Sequence, residues 1–388
     1  MKRRNFIRLA GGGIVLAAAA GSIYGYVRSV SPVPASAIAA WREAGQQTDP
    51  RQYALAHAIL APNPHNMQPW KADLATAGEI SVSLDEQRLL PETDPYGRQI
   101  VMGLGAFLEL LKMAAAQTGH ACEVNLFPDG EPGKYLDGRR MARIVLNPQP
   151  GIETDPLFAH VLARRTDKRA YDVSRKITGE EIAALAAAAS PYDVAFGVEA
   201  AARLDAIKQI AREAWFIELT TEGPMMESVK VLRVGSREID AHRNGIAIDD
   251  PMLVLLDKAG LFDRSSMPAP DSQPVQAQLS VFNEITTATP GYLWITTQGN
   301  SRRQQVDAGA AHVRVNLAAT GLGLSLHPNQ QALQEYPEVA AQHAAIHQLL
   351  DAPSPQFTVQ MLARLGHAMP GDGPVPPAPR RGLEALLE

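Results

Sequence analysis

The sequence predicts an α+β protein built from two related halves that pair about a pseudo-two-fold axis inside one chain. Two observations carry this. Ala-rich segments of helical character alternate with short runs of strand character. A slide of 204 residues then places landmarks of one round on the next: Arg98 on Arg302, Gly105-Ala106 on Gly309-Ala310, Ala114-Ala115 on Ala318-Ala319, and Gly119 on Gly323. A chain carrying such a copy imitates a symmetric dimer, and a site at the interface is then built once, from unlike halves. The 388 residues divide on this reading into a leader at 1–37, a first half at 38–150 and a second half at 151–388.

Each element follows from its own pattern. Residues 34–60 read as one or two helices that stop near Ala61-Pro-Asn-Pro64, and 80–84 alternate at period two like a half-buried strand. Residues 103–118 are apolar on every face, which predicts a buried helix, and Gly119 supplies its stop. Residues 122–127 and 141–146 read as a hairpin around a Pro/Gly/Asp-rich loop. In the second round, helices are expected over 155–164 and over 178–189, where Thr178 and Glu181 form a capping box. A longer helix over 201–221 precedes an insertion at 223–274, rich in Pro, Met and Asp with only short helical pieces. Its Met225, Met226 and Met252 suit a lid over a ring, although Met more often fills gaps in a core. A strand over 291–297 and a buried helix over 306–320, ending at Gly321-Leu-Gly323, complete the round.

Composition narrows the function classes. With 46% hydrophobic and 20% charged residues the body of the chain folds. A net charge of −5 gives no sign of a sequence-wide footprint for nucleic acid. The single cysteine, Cys122, excludes an internal disulfide, and no cationic neighbour in sequence lowers its pKa, so it reads as a structural residue. The N-terminus opens with Met1-Lys-Arg-Arg-Asn-Phe-Ile-Arg8 and continues into an apolar stretch at 9–27 with five glycines. Arg3-Arg4 ahead of Phe6-Ile7 resembles a twin-arginine export signal. Ala35-Ser36-Ala37 offers a small-x-small cleavage site just after Pro32 and Pro34. A retained membrane anchor is the alternative, because the nineteen residues 9–27 barely span a bilayer. Either way the expected location is periplasmic or otherwise exported, with the twin-arginine translocase as a partner. That route typically carries folded proteins, often with a cofactor already loaded.

The most specific segment is Ala61-Pro-Asn-Pro-His-Asn-Met-Gln-Pro-Trp70. It resembles the A-P-S-x-x-N-x-Q-P-W element of FMN-dependent nitroreductases, and its His-Asn pair resembles the Acg-like FMN-binding branch. Asp94-Pro-Tyr-Gly-Arg98 followed by Gly105-Ala106 is similar to the D-P-x-x-R…G-A-x-L run of that branch. Arg164-Arg-Thr-Asp-Lys-Arg169 resembles the phosphate-binding element that opens a nitroreductase domain, and Gly321-Leu-Gly323 with Pro379-Arg-Arg-Gly-Leu383 resembles the end of one. Two departures are Asn63 where the family has Ser and Ala378 where it usually has Lys.

The resemblance implies a nitroreductase-like fold of antiparallel-dominated sheets flanked by helices, two halves acting as an intrachain dimer, and one FMN per chain. Only the first half carries the Pro-bounded loop, and only the second carries the Arg-Arg-Thr run. Arg164, Thr166 and Lys168 offer a phosphate forked, hydroxyl and ammonium donors, and Arg380 and Arg381 close the same clamp from the C-terminus. Asn63, His65, Asn66 and Gln68 present polar groups to the flavin from a loop stiffened by Pro62, Pro64 and Pro69. Asn283, Pro328 and Asn329 carry over from family positions near the flavin. No catalytic side chain is singled out. No dinucleotide fingerprint surrounds Gly103-Leu-Gly105 and no G-x-S-x-G elbow occurs. His343 and His347 lack an obvious third ligand, so no metal is expected. The implied activity is a flavin oxidoreductase passing hydride or electron pairs from a small donor to a small organic acceptor. The alternatives are a protein that sequesters FMN under a lid, and an exported scaffold without cofactor.

Overall fold

The computed structural model describes residues 33–387; the twin-arginine motif and the apolar stretch behind it lie outside the described residues. The first half runs α1 (Ala39–Glu43), α2 (Pro50–Ala58), β1 (Trp70–Asp73), β2 (Glu79–Leu84), α3 (Arg98–Gln117), β3 (His120–Leu126) and β4 (Arg140–Pro148). Its four strands form one antiparallel sheet in the order β1-β2-β4-β3. The second half runs α4 (Gly179–Ala189), β5 (Ala195–Glu199), α5 (Leu204–Thr220), α6 (Glu222–Lys230), β6 (Leu232–Val234), α7 (Gly235–His242), β7 (Ile246–Ile248), α8 (Pro251–Lys258), α9 (Gln273–Thr287), β8 (Gly291–Gln298), α10 (Arg302–Gly321), β9 (Leu324–Pro328), α11 (Ala340–Leu349) and β10 (Phe357–His367). Its sheet, β5-β8-β10-β9, is also antiparallel.

Both sheets follow one rule: first strand, second, fourth, third, with the long helix between the second and third strands. That shared topology is the duplication the 204-residue slide anticipates. The two long helices cross where their glycines meet. A Cβ on Gly105 would lie 2.0 Å from the Val306 carbonyl oxygen, and one on Gly309 would lie 1.8 Å from that of Met102. Val306 and Met102 are themselves 204 residues apart, so the contact is reciprocal. Glycine is required because backbone of one helix occupies the space a side chain would need.

The matched arginines are reciprocal too. Arg98 donates to the carbonyls of Gln360 and Leu333 and pairs with Glu335 at 3.4 Å. Arg302 donates to the carbonyls of Gly133 and Lys134, and its backbone N–H donates to Glu131 at 2.8 Å. Each arginine therefore starts one long helix and grips the loop before the last strand of the other half. Glu131 and Glu335 are again 204 apart.

Local signals decide most element ends. Thr178 and Glu181 make the capping box of α4, and Gly119 and Gly323 follow α3 and α10 with φ of 74° and 72°. Asp94 accepts from the N–H groups of Gln99 and Ile100 and caps α3. Among the described residues α3 is the one helix long and apolar enough to cross a membrane, and it is a mostly buried core helix. Cys122 lies half-buried on β3, where burial pushes its thiol up to about 11.

Three expectations change. The helix expected over 155–164 is only a 3-10 turn, Pro156–His160. Beyond it the backbone leaves helical geometry: the Asp167 N–H donates to the Leu326 carbonyl while Arg164 reaches the Leu60 carbonyl of the other half. The insertion is more ordered than its composition implies, with α6, α7, α8 and the parallel pair β6–β7. It docks on the first half, where Glu227 accepts from the Thr93 N–H and hydroxyl. Met252 is exposed rather than folded over a ring. Strand β10, buried along nearly its whole length, carries Gln360, Arg364 and His367 and so lacks the alternation that marks a strand in sequence.

Replacing Gly105 or Gly309 by Ala forces a side chain onto a backbone carbonyl that has no rotamer to retreat to. Each variant should lose about 3 kcal/mol, the upper end of ordinary overpacking, read as a lowered urea midpoint. Gly179→Ala, with nothing within 4 Å, should lose nothing.

Candidate functional site

The Pro-bounded loop of the first half and the residue 164–168 segment of the second meet at the junction of the halves. The loop is strained: His65, Asn66 and Gln68 have φ of 46°, 54° and 52°. Such left-handed backbone at non-glycine residues costs of the order of 1–3 kcal/mol each and persists only where surroundings enforce it. Here the loop's own amides enforce it. Asn63 Oδ1 accepts from the Gln68 N–H at 2.8 Å, and Gln68 Nε2 donates to the carbonyls of Asn66 and Arg243. Gln68 Oε1 accepts from the Arg381 N–H, and Asn66 donates to the Pro379 carbonyl. Asn63, Asn66 and Gln68 therefore hold the loop in shape. His65 is left with a buried Nδ1 that has no partner among the described residues.

Trp70, which ends the loop, packs against Phe107 with ring centres 5.1 Å apart, and its buried indole N–H has no partner among the described residues. Gly103 of α3 makes room for it, since a Cβ there would sit 3.0 Å from the Trp70 ring and 3.2 Å from Asn63 Cβ. The insertion supports the loop from outside, with the Gly245 N–H donating to the Asn66 carbonyl.

Facing the loop is a cluster of cations. Arg164 is buried and donates through Nη2 to the Leu60 carbonyl, while its Nη1 has no partner among the described residues. Arg164, Arg165 and Arg380 surround the Trp41 indole at 5.7, 4.6 and 5.2 Å, where the ring face takes up part of their charge. Burial, and then the neighbouring Arg165, lowers Arg164 to about 10. Lys168 retains accessible surface, yet desolvation lowers it below the ordinary lysine range. Burial and the charge of Lys168 bring His65 down to about 4. Among the described residues, no carboxylate contributes to the electrostatics of Arg164, Lys168 or Arg380. Asp167 is turned away into a pair with Arg169 at 2.7 Å.

The remaining candidates divide. Arg380 belongs to the cluster but is corrected in role. Nε donates to the Ile59 carbonyl, Nη1 to Asn66 Oδ1 and the Pro379 carbonyl, and Nη2 to the carbonyls of Leu60 and Ala61. Three donors close the end of α2 and the other two hold Asn66 and the arm itself, so Arg380 contributes charge and shape and has no N–H left for a phosphate. Arg381 donates to the carbonyls of Ala385 and Gln68. Asn283 is also corrected: it is exposed on α9 and lines a surface groove with Arg212, Phe216 and Gln342, none of which belongs to the cluster. Pro328 pairs with Ala363 in the second sheet, and Asn329 accepts from the Tyr292 hydroxyl. Thr166 lies half-buried beside Arg164 in the chain. Sequence reading missed Trp41, whose indole N–H donates to the Ala378 carbonyl, and His312, buried on α10 with both ring nitrogens partnerless among the described residues.

Uncompensated buried cations and unpartnered donors are costly unless something supplies acceptors. The flavin mononucleotide implied by the sequence fits that demand, because its phosphate is a dianion and its ring edge is polar.

The buried imidazoles set an acid limit. Burial brings His65, His343 and His347 to about 4 and His312 to about 3, whereas the unfolded chain protonates them near 6.5. As pH falls from 6.5 towards 4, the unfolded state gains these protons and the folded state does not, so stability falls. Burial raises Asp94 to about 6 and Glu218 to about 7, which opposes the trend, but two carboxyls do not offset four imidazoles. Urea midpoints measured at pH 7, 5.5 and 4.5 should decline in that order.

No family model matches the chain. A protein of Mycobacterium tuberculosis, "Putative NAD(P)H nitroreductase Rv3131", is 30% identical over 344 residues, covering 86% of this chain and 90% of its own. The acg protein of the same organism, described in the same words, is 34% identical over 123 residues, 31% of this chain and 35% of its own. Among solved structures, the FMN-dependent nitroreductase NfnB from Mycobacterium smegmatis, in complex with NADPH, matches 58% of this chain and 93% of its own, with 17% identity and a TM-score of 0.37. A nitroreductase with bound FMN from Bacteroides fragilis matches 59% and 97%, with 15% identity and a TM-score of 0.34. With a relative this similar along most of both chains, the protein belongs to the nitroreductase superfamily.

Proposed function

We propose that the protein is an exported, FMN-dependent oxidoreductase of the Acg-like branch, moving hydride or electron pairs from a nicotinamide or other small donor to a small organic acceptor. The observation that carries this reading is the pair of buried guanidinium groups at the junction, Arg164 and Arg380, with no carboxylate among the described residues to neutralise them. FMN held there supplies reversible two-electron chemistry. Arg164, through its free Nη1, and Thr166 hold the phosphate. Lys168 adds a positive charge on the side of His65, which favours the anionic charge of a reduced ring. His65, neutral at ordinary pH, offers its unpartnered Nδ1. The loop amides and Arg380 keep the site in shape and exclude water. The names of the M. tuberculosis relatives make NADPH the first donor to try.

The FMN-sequestering alternative draws on one observation, the insertion lying against the outside of the loop through Arg243 and Gly245. Anaerobic NADPH should bleach the flavin absorption of the purified yellow protein within seconds; a flavin that never bleaches, with NADPH or a quinol, means storage. Arg164→Met should weaken FMN binding about 10–100-fold, the loss of a charged hydrogen bond, while the apo-protein keeps its stability. Arg380→Gln should instead cost the apo-protein about 3 kcal/mol, because several buried carbonyls lose their donor.

Export is part of the proposal, and the retained-anchor form of it is favoured by contacts at the expected cleavage site. Ser36 donates to Asp240 at 2.6 Å, and the Ala37 carbonyl accepts from the Arg380 N–H at 2.9 Å. The intact mass of protein recovered from the producing cell envelope should include Ser36; a chain beginning at Ile38 would reject the anchored form.

A further inference from the structure

We propose that the cleft between the insertion and the first half binds a phosphate monoester with an apolar body, at a place apart from the flavin cluster. None of Trp41, His65, Arg164, Thr166, Lys168 and Arg380 lines it.

The cleft measures about 620 Å³, within the range of sites that hold small molecules. Three parts of the chain wall it: the turn at 87–91 of the first half, the stretch from α6 through β6 to the end of α7 in the insertion, and the C-terminal arm at 381–385. Its floor is apolar. Met67, Leu90 and Val231 are buried against one another in a small cluster of their own, and all three line the cleft.

Its walls are cationic. Arg88, Lys230, Arg233, Arg243 and Arg381 line it, against the carboxylates of Glu227 and Asp240. Both carboxylates are already engaged. Glu227 accepts from the N–H groups of Glu92 and Thr93 and from the Thr93 hydroxyl. Asp240 accepts from the Ser36 hydroxyl at 2.6 Å and from Arg243 at 3.1 Å. From behind the wall Asp85 pairs with Arg88 at 2.9 Å, while Glu238 is taken by Arg264 at 2.8 Å. Five cations against Glu227, Asp240 and Asp85 leave a surplus of two positive charges. A phosphate monoester carries that charge with the opposite sign.

Donors remain to hold it. The Lys230 ammonium has no hydrogen bond or ion pair among the described residues. Arg88 donates there only through Nε, to Asp85. Arg233 donates through Nε to Asn244 and through Nη1 to the carbonyls of Lys230 and Leu232, which leaves Nη2 free among the described residues. Asn244 is only 5% exposed, and its bond to Arg233 fixes both side chains at the cleft wall. Two guanidinium groups and an ammonium give phosphate oxygens the forked and point contacts they favour. A carboxylate would answer one of the two surplus charges. A bare phosphate would leave the floor against water, whereas an ester with a ring covers it.

The full chain, first saturated with FMN, is titrated calorimetrically with phenyl phosphate, inorganic phosphate or benzoate. Phenyl phosphate should bind at one site, about 10-fold or more tighter than either of the others. Lys230→Glu and Arg88→Gln should each weaken it about 10-fold or more, the loss of a charged hydrogen bond, with unchanged melting temperatures. Lys176→Glu, a charge reversal at an exposed position outside the cleft, should leave the affinity as it was. The assignment is overturned by a parent chain that does not bind phenyl phosphate, by equal affinity for inorganic phosphate, or by losses that Lys176→Glu reproduces. Release of the flavin by phenyl phosphate would mean one shared site and would overturn it too. A chain that takes up no FMN but still binds phenyl phosphate, with the same losses, would sink the flavin reading and leave this one in place.

Discussion

The arrangement depends on the backbone contact between α3 and α10 at Gly105 and Gly309. With no side chain at either crossing point, each helix approaches until its glycine rests on a carbonyl of the other. Shape alone then fixes the axis that relates the halves. The reciprocal grips of Arg98 and Arg302 on the opposite loops share that axis. So does the reach of the 61–70 loop from one half to the 164–168 segment of the other. A wider crossing would separate the strained loop from the cations it faces.

Fusing two copies in one chain removes the requirement that both junctions stay the same. One holds the buried guanidinium groups of Arg164 and Arg380, with an Arg164 nitrogen that has no partner among the described residues. At the other, Glu109 is buried, which alone would raise it, but Lys112, Tyr192 and Arg314 hold it below the usual carboxylate range. Arg314 also pairs with Asp155 at 2.6 Å. The second junction is thus satisfied internally and acts as a structural weld. Symmetric subunits have no such freedom, because any change appears at both sites.

The first junction is held together by side chains bonded to one another and to backbone carbonyls. Arg380 closes the end of α2 with three hydrogen bonds and holds Asn66 with a fourth, Gln68 ties the loop to both the C-terminal arm and the insertion, and Trp41 stacks under three guanidinium groups. Strained backbone and unneutralised charge are what a binding site retains at a cost to the apo-protein's stability, and the surrounding apolar core offsets it.

The duplication, the long buried helices, the hairpin and the Pro-bounded loop are legible in the chain alone, because periodicity, glycine punctuation and proline spacing are local signals. The sequence also named Arg164, Lys168 and His65, which the fold brings to one junction. Only the tertiary structure decided what each polar group does there. Asn66, Gln68 and Arg380 look like ligands in sequence but satisfy backbone strain and a helix end, since a side chain's role depends on which acceptors lie within its reach. His312 looked like an ordinary helix residue and became notable only because none of the described residues comes within hydrogen-bonding distance of its ring nitrogens. Strand β10 escaped detection for a related reason: packed on both faces, it has no solvent side to impose alternation, and its Arg364 finds partners in Thr289 and the Arg169 carbonyl, which lie far away along the chain.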